Sequence, residues 1–139
     1  MESKAVFYIL KSTDVKAQSL CACRLVDKAY KNGRKVYVYN ESAEAAEKFN
    51  IHLWTFNDIS FVPHEIAKPE TSAPVIIGWE APPSGFDVLV NLTLQVPHFF
   101  AMFNHVIEII PDIAEIKTKG RERYKYYQSQ NFKLETHEV

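Results

Sequence analysis

Residues 5–39 read AVFYILKSTDVKAQSLCACRLVDKAYKNGRKVYVY, and the succession of patterns in this stretch decides the fold. Ala5 to Leu10 is an unbroken apolar run with β-branched and aromatic residues at its centre. It is too short for a core helix and reads as a strand buried on both faces. Ser12, Thr13 and Asp14 follow as N-cap candidates. From Val15 to Lys31, residues Leu20, Cys23, Leu25, Val26 and Ala29 fall at spacings that make one apolar helical face. Asn32 and Gly33 end this helix, glycine being the usual residue for the left-handed turn that follows one. Lys35 to Tyr39 is then a second strand. Strand, helix and strand joined by short turns form a βαβ unit, which implies parallel pairing through a right-handed crossover.

Outward from that unit the pattern continues as α/β. Asn40 or Ser42 caps a second helix from Ala43 to about Phe49. The aromatic stretch that follows has no clean period and reads as a loop carrying Trp54, Phe56 and Phe61, which either cover the sheet edge or form a partly exposed protein-binding patch. Residues 68–74 form a polar, proline-bearing loop. Val75 to Gly78 and Phe86 to Leu92 are strands. A short helical turn runs from Gln95 to about Met102, with Pro97 at its first position. Asn104 to Ile110 is a fifth strand, ended by Pro111. The last helix spans Asp112 to about Gln128, with Asp112 as N-cap and Glu115 completing a capping-box pair. Gly120 inside it costs about 1 kcal/mol against alanine. Close packing on the sheet or a partner at the backbone would each account for it. Asn131 to Glu135 alternates like an edge strand.

The 139 residues fit one domain, and 47% hydrophobic content supplies a core without disulfides or metal. A net charge of −1 excludes a surface that is basic all round, so any attraction for a polyanion must be local. Cys21 and Cys23 diverge by about 200° on a helix and cannot pair with each other there, so they read as reduced thiols of a cytoplasmic protein. No run resembles a signal peptide or a membrane span. The first strand–helix turn, KSTDVKAQS, lacks the glycines of a phosphate cradle, which leaves no nucleotide-binding loop there. The five histidines show no metal-ligand spacing, and there is no nucleophile elbow. The expectation is a protein with no catalytic residues, no cofactor and no metal.

The remaining positive feature is the C-terminal helix, with Lys117, Lys119, Arg121, Arg123 and Lys125 among Tyr124, Tyr126 and Tyr127. Lys117, Arg121 and Tyr124 are spaced i, i+4, i+7 and share one face. Such a face is either a solvated surface or a receptor for an acidic partner.

Two motifs bear on that choice. Trp54 precedes Ser60-Phe61-Val62-Pro63-His64, and Gly120-Arg121-Glu122-Arg123-Tyr124-Lys125 with Tyr127 precedes Asn131-Phe132 and Leu134. Together with the first strand, the Asn32-Gly33-Arg34-Lys35-Val36 turn and the length, they resemble the chi subunit of bacterial DNA polymerase III holoenzyme over nearly the whole chain. The resemblance implies a Rossmann-like open sheet, mostly parallel, with helices on both faces and no bound nucleotide. It implies a non-enzymatic adaptor that links the clamp loader, through the psi subunit, to the acidic C-terminal tail of single-stranded-DNA-binding protein, touching DNA only indirectly. Arg121 matches the family's tail-binding arginine, whose fork takes a terminal carboxylate in two hydrogen bonds. Lys117 matches a lysine that attracts the acidic stretch, and Ile110 and Tyr124 match the walls of the pocket for the tail's last aromatic ring. Trp54 and Phe61 match the residues that meet psi or a repair helicase, while Arg123 points elsewhere on the helix, where a structural role is expected. The chain departs from the family at Asp112, where an aromatic residue is usual; a carboxylate there repels an acidic peptide unless capping holds it away. A monomer is expected when the chain is alone. The competing readings are a small nucleotide-binding α/β domain and a direct single-stranded-DNA binder using the tyrosine-rich helix.

Overall fold

The computed structural model describes residues 3–56, 62–67 and 73–139. Its strands are β1 (Lys4–Ile9), β2 (Val36–Tyr39), β3 (His64–Ile66), β4 (Val75–Gly78), β5 (Val88–Asn91), β6 (His105–Ile110) and β7 (Lys133–Glu138). Its helices are α1 (Val15–Lys31), α2 (Ala43–Thr55) and α3 (Ala114–Ser129). The strands form one sheet in the order β3-β4-β2-β5-β6-β1-β7. Every pairing is parallel. The expected open α/β sheet is therefore present.

Period-two alternation sorts the strand residues into two cores. Val36 and Val38, Val75 and Ile77, Val88 and Val90, and Ile107 and Ile109 pack with Ala22, Cys23 and Val26 of α1 and Ala46, Phe49 and Leu53 of α2. Phe7, Tyr37, Ile76, Leu89, Val106 and Ile110 face the other way, toward Phe99, Phe100, Phe103 and Tyr127 of α3. Helices thus lie on both faces. α1 has the predicted bounds: the Asp14 side chain accepts from the Lys16 N–H at 2.9 Å. Gly33, at φ 75°, follows its Asn32 C-cap. Burial pushes the Cys23 thiol up to about 12, and both cysteines are free.

Four expectations need correction. α2 does not stop near Phe49 but continues to Thr55, because Phe49 and Leu53 are both buried one turn apart and carry the helix through. Trp54 is therefore on a helix, not a loop. β3 falls within the stretch read as irregular and pairs with β4 at the sheet edge. Pro97 does not open a helix; its carbonyl accepts from Phe100 N–H, and only a single 3₁₀ turn forms at Phe100–Met102. Asp112 does not cap α3, whose N-cap position is Ile113 with no side-chain cap bond.

His105, at the start of β6, gives a pH prediction. Neither ring nitrogen has a hydrogen-bond partner among the described residues. Burial, then the charges of Lys4 and Arg34, hold its imidazole down at about 4. The unfolded chain takes that proton near about 6.5, and the folded chain only near 4. His105 thus favours the fold fully above the unfolded value and progressively loses that contribution as pH falls from 6.5 to 4. The melting temperature is expected to drop across this window, and His105→Leu to drop less. Parallel curves for the two proteins would contradict the assignment.

Candidate functional site

The site follows from the chain path. β1 and β6 are adjacent and parallel. β1 leads into α1 on one face of the sheet and β6 leads into α3 on the other. The two exits part above the carboxyl ends of these strands, and at such a switch point an open α/β sheet leaves a crevice. Here it has a volume of about 280 Å³ and is lined by Ile9, Leu10, Ile110 and Pro111 with Lys11, Asp112, Lys117 and Glu138. Backbone bonds fix its rim: Leu10 N–H donates to Ile110 O at 2.9 Å and Asp112 N–H to Ser12 O at 2.8 Å. Larger hollows exist between α1 and α2, about 600 Å³, and beside Phe100 and Tyr126, about 520 Å³. Topology, not size, singles out the crevice, and two of the four residues expected to bind the tail line it.

Those two are Ile110 and Lys117. Ile110 is buried against α3, and Gly120 makes this possible: a Cβ at that position would stand 2.8 Å from Ile110 Cδ1. Close packing on the sheet therefore accounts for the mid-helix glycine. Arg121 and Tyr124 do not line the crevice but continue the same face of α3 away from it. Arg121 is exposed and Tyr124 is half-buried, its ring 5.3 Å from that of Phe7 on β1. Trp54 is 50% exposed beside Ile51, 56% exposed, and its ring lies 4.4 Å from that of His64. Phe61 lies outside the described residues.

The basic character of α3 is narrower than its composition. Lys117 Nζ lies 3.0 Å from Asp112 Oδ1 and Lys119 Nζ 3.6 Å from Glu122 Oε2. Arg123 is 4% exposed and its Nε donates to Glu108 Oε1 at 3.0 Å. Three of the helix's five cations are thus matched by carboxylates, leaving Arg121 and Lys125 without an ion pair among the described residues. These two are one turn apart.

The Arg123 contact belongs to a buried network that the sequence reading missed. Glu108, fully buried in β6, also accepts from Tyr127 Oη at 2.7 Å and Asn91 Nδ2 at 2.9 Å, while Arg123 Nη1 donates to Leu94 O at 2.8 Å. Burial pushes the Glu108 carboxyl up, and Arg123, Asn91 and Tyr127 pull it back. The available signal was a glutamate in an otherwise apolar strand, since an acid there needs a partner. The second arginine of the R-E-R-Y-K motif is that partner, so this half of the motif joins α3 to the sheet and the first arginine alone faces solvent.

The sequence profile of the family described as DNA polymerase III chi subunit, HolC, matches residues 2–135. The chain belongs to the DNA polymerase III chi subunit family. The chi subunit of Pseudomonas aeruginosa is 33% identical over 134 residues, 96% of this chain and 94% of its own. That of Haemophilus influenzae is 32% identical over 100% and 99%, and that of Escherichia coli 31% identical over 95% of each. As a chi-family chain it is an accessory subunit in DNA replication. Among solved structures, T4 UvsW superposes with a TM-score of 0.62 over 99% of this chain and 41% of that one, at 10% identity, a likeness of fold alone. Among the described residues no three metal-binding side chains converge, and no helix is long and apolar enough to cross a membrane.

Proposed function

We propose that this chi chain is a non-enzymatic adaptor that takes the acidic C-terminal tail of single-stranded-DNA-binding protein on the face running from the switch-point crevice along α3. The observation that carries the reading is Arg121: a guanidinium exposed and without an ion pair among the described residues, on the same helical face as Tyr124 and Lys117 and beside the crevice at Ile110. A planar fork with open donors suits a terminal carboxylate, and the neighbouring tyrosine and isoleucine suit an aromatic ring. The second face, Trp54 with Ile51, suits an apolar partner surface, the psi subunit or a repair helicase, the partner to which the family resemblance also assigns Phe61. Direct DNA binding is disfavoured, since most of the cations on α3 already have carboxylate partners. The test is titration of the full chain with a tail peptide ending in phenylalanine at rising salt. Binding should weaken as screening grows but not vanish, because the ring contributes apart from charge.

A further inference from the structure

The two lysines of the crevice are not equivalent. Lys117 is held by Asp112 at 3.0 Å, and Asp112 is itself anchored through its N–H on Ser12 O. Lys11, two residues past the end of β1 and also in the lining, has no ion pair or side-chain hydrogen bond among the described residues. Alternation places Glu138 of β7 in the same lining. Two lysines face two carboxylates there, so the crevice is close to neutral, and only one of its ammonium groups is uncommitted.

We infer that Lys11 is the cation with which the crevice engages an acidic peptide, and that Asp112 acts as an internal competitor that keeps Lys117 out of that contact. The inference rests on reading the crevice and α3 as an acidic-peptide site, and adds a residue and a direction of effect that this reading lacks. For Lys117 to meet an incoming carboxylate it must leave Asp112. The exchange replaces one exposed ion pair by another and gains little. It also leaves the Asp112 charge beside the ligand's own. A contact to Lys11 breaks no pair. Lys11 also stands in the turn between β1 and α1 and Arg121 on α3, so a peptide touching both spans the strand–helix junction instead of lying along the helix alone.

The experiment measures the affinity of an acidic peptide ending in phenylalanine at low salt for the wild-type chain, Lys11→Gln, Lys117→Gln, Asp112→Asn, the Asp112→Asn/Lys117→Gln double variant and Arg121→Ala. All four substituted side chains are at least partly solvent-exposed, and thermal melts check that each variant folds. One exposed pair carries at most about a fivefold effect, so Lys11→Gln is expected to weaken binding about three- to fivefold and Lys117→Gln by less than about twofold. Asp112→Asn is expected to tighten binding about threefold, a gain that disappears in the double variant. A gain that persists in the double variant means simple repulsion by Asp112 and overturns the competitor role. A loss in Lys117→Gln as large as that in Lys11→Gln overturns the assignment of Lys11. Arg121→Ala tests the site itself: unchanged affinity there overturns the peptide-site reading, while the Lys11 and Asp112 variants are scored on their own differences.

Discussion

Arg123→Ala is expected to cost about 3–5 kcal/mol of folding stability, because it strands a carboxylate that is fully buried. For a chain of this size that corresponds to a fall in melting temperature on the order of 10–20 °C. Glu108 is 0% exposed, and its strongest compensation is the guanidinium at 3.0 Å. Tyr127 and Asn91 remain as donors, so the acid is not left wholly bare, but neither carries charge. Removing both charged partners is a smaller change than removing one, since no buried charge then lacks a counter-charge. Glu108→Leu combined with Arg123→Met should therefore melt above Arg123→Ala alone. Thermal unfolding followed by circular dichroism reads both. An Arg123→Ala melt within a few degrees of wild type would mean that the network contributes little and that α3 is held by its apolar contacts.

Arg121→Ala has the opposite signature: unchanged melting and lost binding. Its side chain is exposed and in no ion pair among the described residues, so the fold does not depend on it. A charge-assisted, two-pronged hydrogen bond contributes about 1.5–3 kcal/mol, so affinity for the tail peptide should fall roughly tenfold to a hundredfold. Arg121→Lys should recover only part of the loss, because an ammonium restores the charge but not the planar fork. Isothermal titration alongside a melt separates the cases. Retained affinity in Arg121→Ala would move the site elsewhere, and a lowered melting temperature would make the residue structural.

These two arginines, Arg121 and Arg123, stand two positions apart in one motif and do different work, and sequence alone separates them only in part. Helical spacing put Arg121 with Lys117 and Tyr124 and turned Arg123 away. That Arg123 points into the sheet required Glu108, whose burial comes from β6 lying between β5 and β1, a long-range fact of topology. The βαβ unit was legible because its periods are clean and its cap and turn residues are local. β3 was not, since three residues including His64 and Glu65 carry no alternation to read. α2 was cut short because Trp54 looks alike in a loop and on a helix, and only the burial of Leu53 shows which it occupies. Asp112 was misread because a cap and an ion pair use the same carboxylate. Its choice of Lys117 depends on how the strand–helix junction turns.

On the proposed function, the face from the crevice to Arg121 and Tyr124 takes a peptide by its terminal aromatic residue and carboxylate together with its acidic charge. Titrating the wild-type chain with the intact tail peptide and with the same peptide lacking only its last phenylalanine tests it most directly. The shortened peptide, with its acidic residues intact, is expected to lose at least about tenfold in affinity, as loss of a buried aromatic contact implies. Equal affinity for the two peptides would contradict it and would reduce the face to a weak electrostatic surface.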